Sequence, residues 1–363
     1  MAKLNKQQPI LMGFENFVAP DVKGKLQENF IVPPFSVLDA RQGYWQERKK
    51  QWLSLGIQSE TGRGENLLKY SEGTKLRLKR EDSLLYKSLS GATPNYYTQK
   101  GKVEEQLGHS ISNKEFEDNH LVSEGTYATG TSIFDPVLCE LIYKWFCPDE
   151  GIVLDPFAGG SVRGIIASVI GLDYHGIDLA KEQIEANRVQ GQSLVPTKQP
   201  TWYDGDSNDM ETILPADLKF DLVLSCPPYH DLEKYTDDEG DLSNMSWNTF
   251  KTTYKSIIDK AILRLKPNRF AVFVVSEIRG ENGSYKGLVP WTIDCFCRGG
   301  MWFYNEIILV TNIGSLALRV GKQFSSYRKI GRTHQNVLVF FKGDMDCIPR
   351  NFKQIDSAIP ENW

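Results

Sequence analysis

Two runs in the second half of this 363-residue chain, Phe220–Ser225 and residues 270–276, are apolar almost throughout. A strand with one wet face alternates polar and apolar residues, whereas a run apolar at nearly every position is covered on both faces. Such strands lie at the centre of parallel sheets, and parallel neighbours need long crossovers, usually helical. Helices are expected at Pro136–Phe146, where Val137, Leu138, Leu141, Ile142 and Trp145 share a face, and over 162–170, 180–188 and 254–265. The last is expected to end at Lys266-Pro267. Shorter strands are expected over 151–154 and 174–177, with a closing pair over 306–311 and 336–341. This alternation predicts a doubly wound α/β sheet.

Residues 1–120 differ and are read as an N-terminal extension. A helix is expected over 44–55, with Trp45, Trp52 and Leu53 on or near one face. Residues 59–119 are polar, basic and aperiodic, which fits a recognition surface or a segment ordered by its partner. Residues 121–345 form the main domain, and 346–363 a tail.

Charge is segregated. The net charge is -4, yet residues 41–102 carry 13 basic residues against 6 acidic ones. Arg319, Lys322, Arg328, Lys329 and Arg332 cluster without an acid, while residues 231–241 are acidic. Basic segments on an acidic chain suit a polyanion met locally; solvated surface charge is the plainer alternative for each. Phe324 and Tyr327 interleave the second cluster, as phosphate contacts beside a stacking group require. The run Lys75, Arg77, Lys79, Arg80 is a further candidate contact. The six cysteines show no disulfide or metal spacing, so reduced thiols in the cytoplasm are expected. Neither a secretory signal nor a membrane span is expected.

Two turns carry the chemistry. Asp155-Pro156-Phe157-Ala158-Gly159-Gly160-Ser161 follows a strand and opens a helix, where glycines admit a ligand to the backbone. Asp178 ends the next strand 23 residues later, a spacing suited to ribose hydroxyls. The second turn, Ser225-Cys226-Pro227-Pro228-Tyr229, ends the first apolar strand.

With these motifs the chain resembles S-adenosylmethionine-dependent DNA amino-methyltransferases of the N4-cytosine/N6-adenine type, over roughly residues 129–341. Their Asp-Pro-Phe-x-Gly motif is matched by Asp155, Pro156, Phe157 and Gly159, followed by Gly160 and Ser161. The 33–45 segment also resembles phage and prophage modification methylases. The resemblance implies a Rossmann-like sheet with an antiparallel closing strand and makes 121–345 the catalytic domain. It implies cofactor contacts from Thr131 and Phe134 at the methionine end, from Asp178 at the ribose and from Asp206 at the adenine amine. Arg163 is then read as touching the cofactor carboxylate or facing solvent. The implied partner is duplex DNA with a flipped base; a cognate endonuclease is not readable.

An exocyclic amine is a poor nucleophile, so its protons need acceptors. The family uses an Asp, Asn or Ser before the prolines and a carbonyl whose direction proline fixes, while the aromatic stacks on the flipped base. Here Cys226 takes the first position, and sulfur accepts weakly. In one reading the Pro227 carbonyl is the main acceptor with Ser225 auxiliary, on cytosine N4. In another Cys226 only packs and adenine N6 reacts. In a third Cys226 attacks a pyrimidine and carbon C5 is methylated. RNA base methylation and a DNA-binding platform without catalysis are further alternatives. His230, Asp231 and Tyr235 are placed in a loop over the base, with His230 a positioning or surface residue. His334 is read as structural.

Overall fold

The computed structural model describes residues 30–59, 76–78, 100, 103–105, 107–111, 121–123, 133–230 and 238–355. The chain divides into two units, residues 1–64 with 132–363 and residues 65–131.

The first unit begins with β1 (Val37–Asp39) and α1 (Gly43–Leu53). In the second, β2 (Leu76–Leu78) pairs antiparallel with β3 (Leu121–Ser123), and Val103 and Ile111 are buried. The first unit continues with α2 (Pro136–Phe146), β4 (Ile152–Asp155), α3 (Val162–Val169), β5 (Asp173–Asp178), α4 (Lys181–Leu194), β6 (Thr201–Asp204) and β7 (Phe220–Ser225). It ends with α5 (Trp247–Arg264), β8 (Leu265–Val275), α6 (Leu288–Arg298), β9 (Trp302–Val310), α7 (Ala317–Tyr327) and β10 (His334–Lys342).

The sheet order is β1-β9-β10-β8-β7-β4-β5-β6. All pairings are parallel except those of β10, which runs antiparallel to β8 and β9. This is the expected Rossmann-like doubly wound sheet with an antiparallel closing strand. Strand order reverses between β4 and β7, and at such a switch point the diverging connections leave a crevice beyond the carboxyl ends. Burial follows the two-residue period of a strand. Leu222, Leu224, Val272 and Val274 enter one core layer, while Val223, Ala271, Phe273 and Val275 enter the other.

The N-terminal segment departs from expectation. Residues 30–59 belong to the sheet-bearing unit: β1 extends the sheet, with Val37 opposite Ile308. Trp45 and Trp52 are fully buried, but Leu53 faces outward at 38% exposure. Between the two tryptophans lies buried Arg48, which donates from Nε and Nη2 to Glu140 of α2 at 2.8 and 2.6 Å. Trp52 Nε1 and Lys144 Nζ donate to the same carboxylate, both at 2.7 Å. Trp45 Nε1 and Lys49 Nζ hold Asp135 at 3.1 and 3.0 Å. The expected helix is present, and its buried face includes an arginine that an apolar count does not register.

A boundary also moved. Helix α5 starts at Trp247, where the Ser246 side chain accepts from the Thr249 N–H, ahead of the expected 254. At its other end α5 stops at Arg264, just before Lys266-Pro267 as expected, and Pro267 lies in an irregularity at the start of β8, where the register jumps from Phe220↔Leu265 to Leu222↔Phe270. Strand β6 and helices α6 and α7 were not anticipated.

Candidate functional site

Strands β4, β5, β6 and β7 end on one edge, bringing Asp155, Asp178, Asp204 and Ser225 to the same side. Asp155 is fully buried, and protein donors occupy both of its oxygens. Arg163 Nε and Tyr174 Oη reach Oδ2 at 2.5 and 2.7 Å, and Ser225 Oγ reaches Oδ1 at 2.5 Å. Arg163 does not face solvent. It turns inward, donates to the carbonyls of Phe157 and Ala158 at 2.6 and 2.9 Å, and lies over the Phe134 ring. Burial would lower its pKa, but the Asp155 charge more than offsets this and holds it above the ordinary value. Burial, then Asp155, raises the Tyr174 pKa well above its usual range, so Tyr174 stays a donor. An inward arginine thus braces the glycine turn from behind.

The turn itself is held from three sides. Gly159 adopts a φ of +50° and donates to Asp178 Oδ2 at 2.7 Å, while its carbonyl accepts from Asn187 Nδ2 at 2.7 Å. Gly160 is buried, and a Cβ there would collide with the side chain and backbone of Ser59. The segment before Ser59 is clipped to α4, because Gln58 exchanges hydrogen bonds of 2.9 and 2.6 Å with the Gln190 amide. Asp206 caps a short turn by accepting from the Asn208 N–H at 2.7 Å. Its other oxygen has no hydrogen-bond partner among the described residues. Phe134 is half-buried at the start of α2. Phe157 stacks on Tyr254 with centroids 6.1 Å apart. Thr131 lies outside the described residues.

Ser225 joins the two turns. Its hydroxyl donates to Asp155 and accepts the Phe157 N–H at 3.2 Å, and the side chain is fully buried. Its proton and one of its lone pairs therefore serve the glycine turn, which makes Ser225 a positioning group between the two turns. Cys226 is half-buried with Sγ 3.7 Å from the Tyr229 hydroxyl. Pro227 is buried, and among the described residues nothing donates to its carbonyl. Pro228 and Tyr229 are half-buried, and Gln335 Nε2 of β10 donates to the Tyr229 hydroxyl at 3.2 Å. Gln335 was not expected at the site.

His230 is not a surface residue. It is buried with a φ of +49°. Lys286 Nζ, which can only donate, lies 2.7 Å from Nδ1, so Nε2–H faces the Met245 carbonyl at 2.9 Å. Asp231 and Tyr235 lie outside the described residues. His334 is half-buried; burial, then the Arg332 charge, lowers its pKa.

The basic cluster is not a plain loop, for α7 occupies it. Lys322 and Arg328 are exposed, Lys329 lies over the Tyr327 ring, and Arg328 takes a left-handed φ of +54° at the helix end. Arg332 is spent within the protein, donating to the His334 carbonyl at 3.2 Å and to the Asn336 side chain. The Arg319 side chain, and Lys75, Lys79 and Arg80, lie outside the described residues; Arg77 is in β2. Among the described residues no group of acids, histidines and cysteines suits a metal, no helix is long and apolar enough to cross a membrane, and none of the six cysteines forms a disulfide.

No family model and no curated protein matches the chain. Solved structures similar to it include TrmN from Thermus thermophilus, 13% identical over 70% of each chain with a TM-score of 0.40. Magnesium protoporphyrin IX methyltransferase (ChlM) from Synechocystis PCC 6803 with bound SAM is 10% identical, over 75% of this chain and 94% of that one, at a TM-score of 0.38. The cyclase SpnF is 14% identical, over 60% and 84%, at 0.41. One of the three is a cyclase, so a likeness at this level does not choose a reaction.

Proposed function

We propose that this chain is an S-adenosylmethionine-dependent methyltransferase acting on an exocyclic amine of a base flipped from DNA, cytosine N4 or adenine N6. The observation that carries this reading is the Ser225 bridge, which bonds the Pro-Pro-Tyr turn to Asp155 and Phe157 of the glycine turn. Group transfer needs donor and acceptor held in line at near-contact distance, and a rigid bridge between two binding turns supplies that positioning.

S-adenosylmethionine fits the residues present and supplies a methyl group on a positively charged sulfur. Asp178 and Asp206 would hold its ribose and adenine, and Phe134 and Gly159 its methionine side, with Thr131 as a further contact. The unpaired oxygen of Asp206 suits an amino donor. On the other side the Pro227 carbonyl would accept a hydrogen bond from the amine and so raise electron density on its nitrogen. Tyr229, anchored by Gln335, offers its ring to the base. Lys322, Arg328 and Lys329 are the proposed phosphate contacts, with Arg319; Arg332 positions the start of β10.

Nucleoside mass spectrometry of DNA and RNA incubated with the protein and labelled donor tests this. N4-methylcytosine or N6-methyladenine in DNA is the expected product. A product confined to 5-methylcytosine would transfer the reading to covalent chemistry at Cys226. Label in RNA alone would overturn the DNA assignment, and no label in either would leave a binding platform.

A further inference from the structure

Five polar residues, Arg332 to Asn336, lead the chain into β10. Because β10 runs antiparallel to β8, with Asn336 opposite Val275, they lie at the carboxyl end of β8. Two of them are committed within the protein. Arg332 donates to the His334 carbonyl and to Asn336 Oδ1, and Asn336 Nδ2 donates to Glu306 Oε1 at 2.5 Å. Gln335 differs. Its Nε2 makes one hydrogen bond, to the Tyr229 hydroxyl at 3.2 Å, and its Oε1 accepts none among the described residues. The residue is half-buried, so the amide is not sealed in the core. Register sets the face on which it stands. Val337, Val339 and Phe341 enter the core layer that holds Leu222 and Leu224 of β7, while Leu338 and Phe340 enter the other. By this alternation Gln335 belongs to the first series and Asn336 to the second. Cys226 packs against the first layer too, and the Tyr229 hydroxyl lies 3.7 Å from its Sγ. One hydroxyl thus meets both the Gln335 amide and the Cys226 sulfur.

An exocyclic amine carries two protons in the plane of its base. When both meet acceptors, the nitrogen pair is most available to an incoming methyl carbon. The Pro227 carbonyl takes one proton in the proposed reaction. The residue before the prolines is placed to take the other, but here it is Cys226, whose sulfur accepts weakly. Ser225 is fully buried, and its proton serves Asp155. We infer that Gln335 Oε1 is the second acceptor for the target amine, standing in for the oxygen that Cys226 lacks. The inference rests on the amino-methyltransferase reading and adds a catalytic residue to that site. An amide has two N–H donors: one stays with Tyr229, and the other would meet the ring nitrogen beside the amine, cytosine N3 or adenine N1. Gln335 acts by orientation. As the nitrogen pair bonds to the methyl carbon, the carbon–sulfur bond of the donor breaks and its electrons stay on sulfur. The surplus proton on nitrogen leaves to water, since a neutral amide is too weak a base to keep it.

The competing role for Gln335 is to anchor Tyr229 and nothing more. Steady-state kinetics on unmethylated double-stranded DNA of mixed sequence, with labelled donor, separates the two. An anchor predicts that Gln335→Leu costs no more than Tyr229→Phe, which deletes the same bond, and that combining them costs no more than either alone. An amine acceptor predicts that Gln335→Leu lowers kcat about ten- to a hundredfold, changes KM for DNA less than about threefold, and does so again when Tyr229 is already Phe. Gln335→Glu keeps an acceptor oxygen. It should recover most of the loss at neutral pH and lose activity toward acid more steeply than wild type, as its carboxyl takes up a proton. If Gln335→Leu lowers the thermal midpoint, Gln335→Met, close in shape and without an amide, carries the same comparison. A loss no greater than that of Tyr229→Phe overturns the inference and leaves the methyltransferase reading standing. 5-Methylcytosine as the sole product overturns it as well, there being no amine to hold. No label in DNA or RNA with the wild-type protein sinks both.

Discussion

Asp155 shows how fully one carboxylate can be committed to the protein's own hydrogen bonds. Its oxygens are taken by Arg163, Tyr174 and Ser225. Removing one member of a buried ion pair leaves an uncompensated charge, at about 3–5 kcal/mol. Asp155→Ala should therefore unfold at clearly lower denaturant, and its loss of methyl transfer would report on the fold as much as on the cofactor. Equal denaturant midpoints for variant and wild type would contradict this. Tyr229 separates better. Tyr229→Phe keeps the ring and loses the bonds to Gln335 and Cys226, so activity should fall less than about tenfold. Tyr229→Ala loses stacking worth about 1–3 kcal/mol and should fall further, as the ratio of kcat/KM for the two variants would report.

At the scale of elements, the glycine turn is shaped by a segment roughly a hundred residues earlier in the chain. Ser59 occupies the space that a side chain at Gly160 would need. Gly160→Ala should destabilise by about 1–3 kcal/mol, the usual cost of overpacking a closed site. Trimming the partner tests the cause: with Ser59→Gly added, part of that loss should return, and a denaturation cycle over the two sites measures the coupling. Simple additivity would count against the contact. The bond from Gln58 to Gln190 explains why this segment lies where it does, since it ties residues before the glycine turn to the helix after it.

Across the whole molecule, two buried acids join distant parts of the sheet-bearing unit. Burial raises the Glu140 pKa, but Arg48 and Lys144 more than reverse this, leaving it below its ordinary 4.5. Asp221 behaves alike: burial raises its pKa, and Lys266, Arg269 and the Ile152 N–H bring it below 3.8. A carboxylate whose pKa is depressed by folding contributes stability above its unfolded value, and that contribution is lost as pH falls through the folded value. The thermal midpoint should hold steady at neutral pH and drop as the solution is acidified below about 4.5. Glu140→Gln should start lower at neutral pH and fall less steeply, because the titrating group is gone. A parallel acid profile for the two proteins would disprove the assignment.

What the sequence determined by itself was local. Phe220–Ser225 was readable as a central strand because two-sided burial leaves no polar alternation, and the glycine and Pro-Pro-Tyr turns were readable because their chemistry is written in consecutive residues. Tertiary structure alone decided where each polar group spends its hydrogen bonds. Arg163 turned inward, Ser225 became a bridge, His230 was buried and Arg332 was tied to Asn336, each through partners that sequence spacing does not reveal. It also decided that β1 joins the sheet, that α1 packs on α2 and that Trp247 and Trp291 share a pocket. Backbone conformation and burial period depend on neighbours in the chain; a side chain's partner depends on which distant segments the fold brings within about 3 Å.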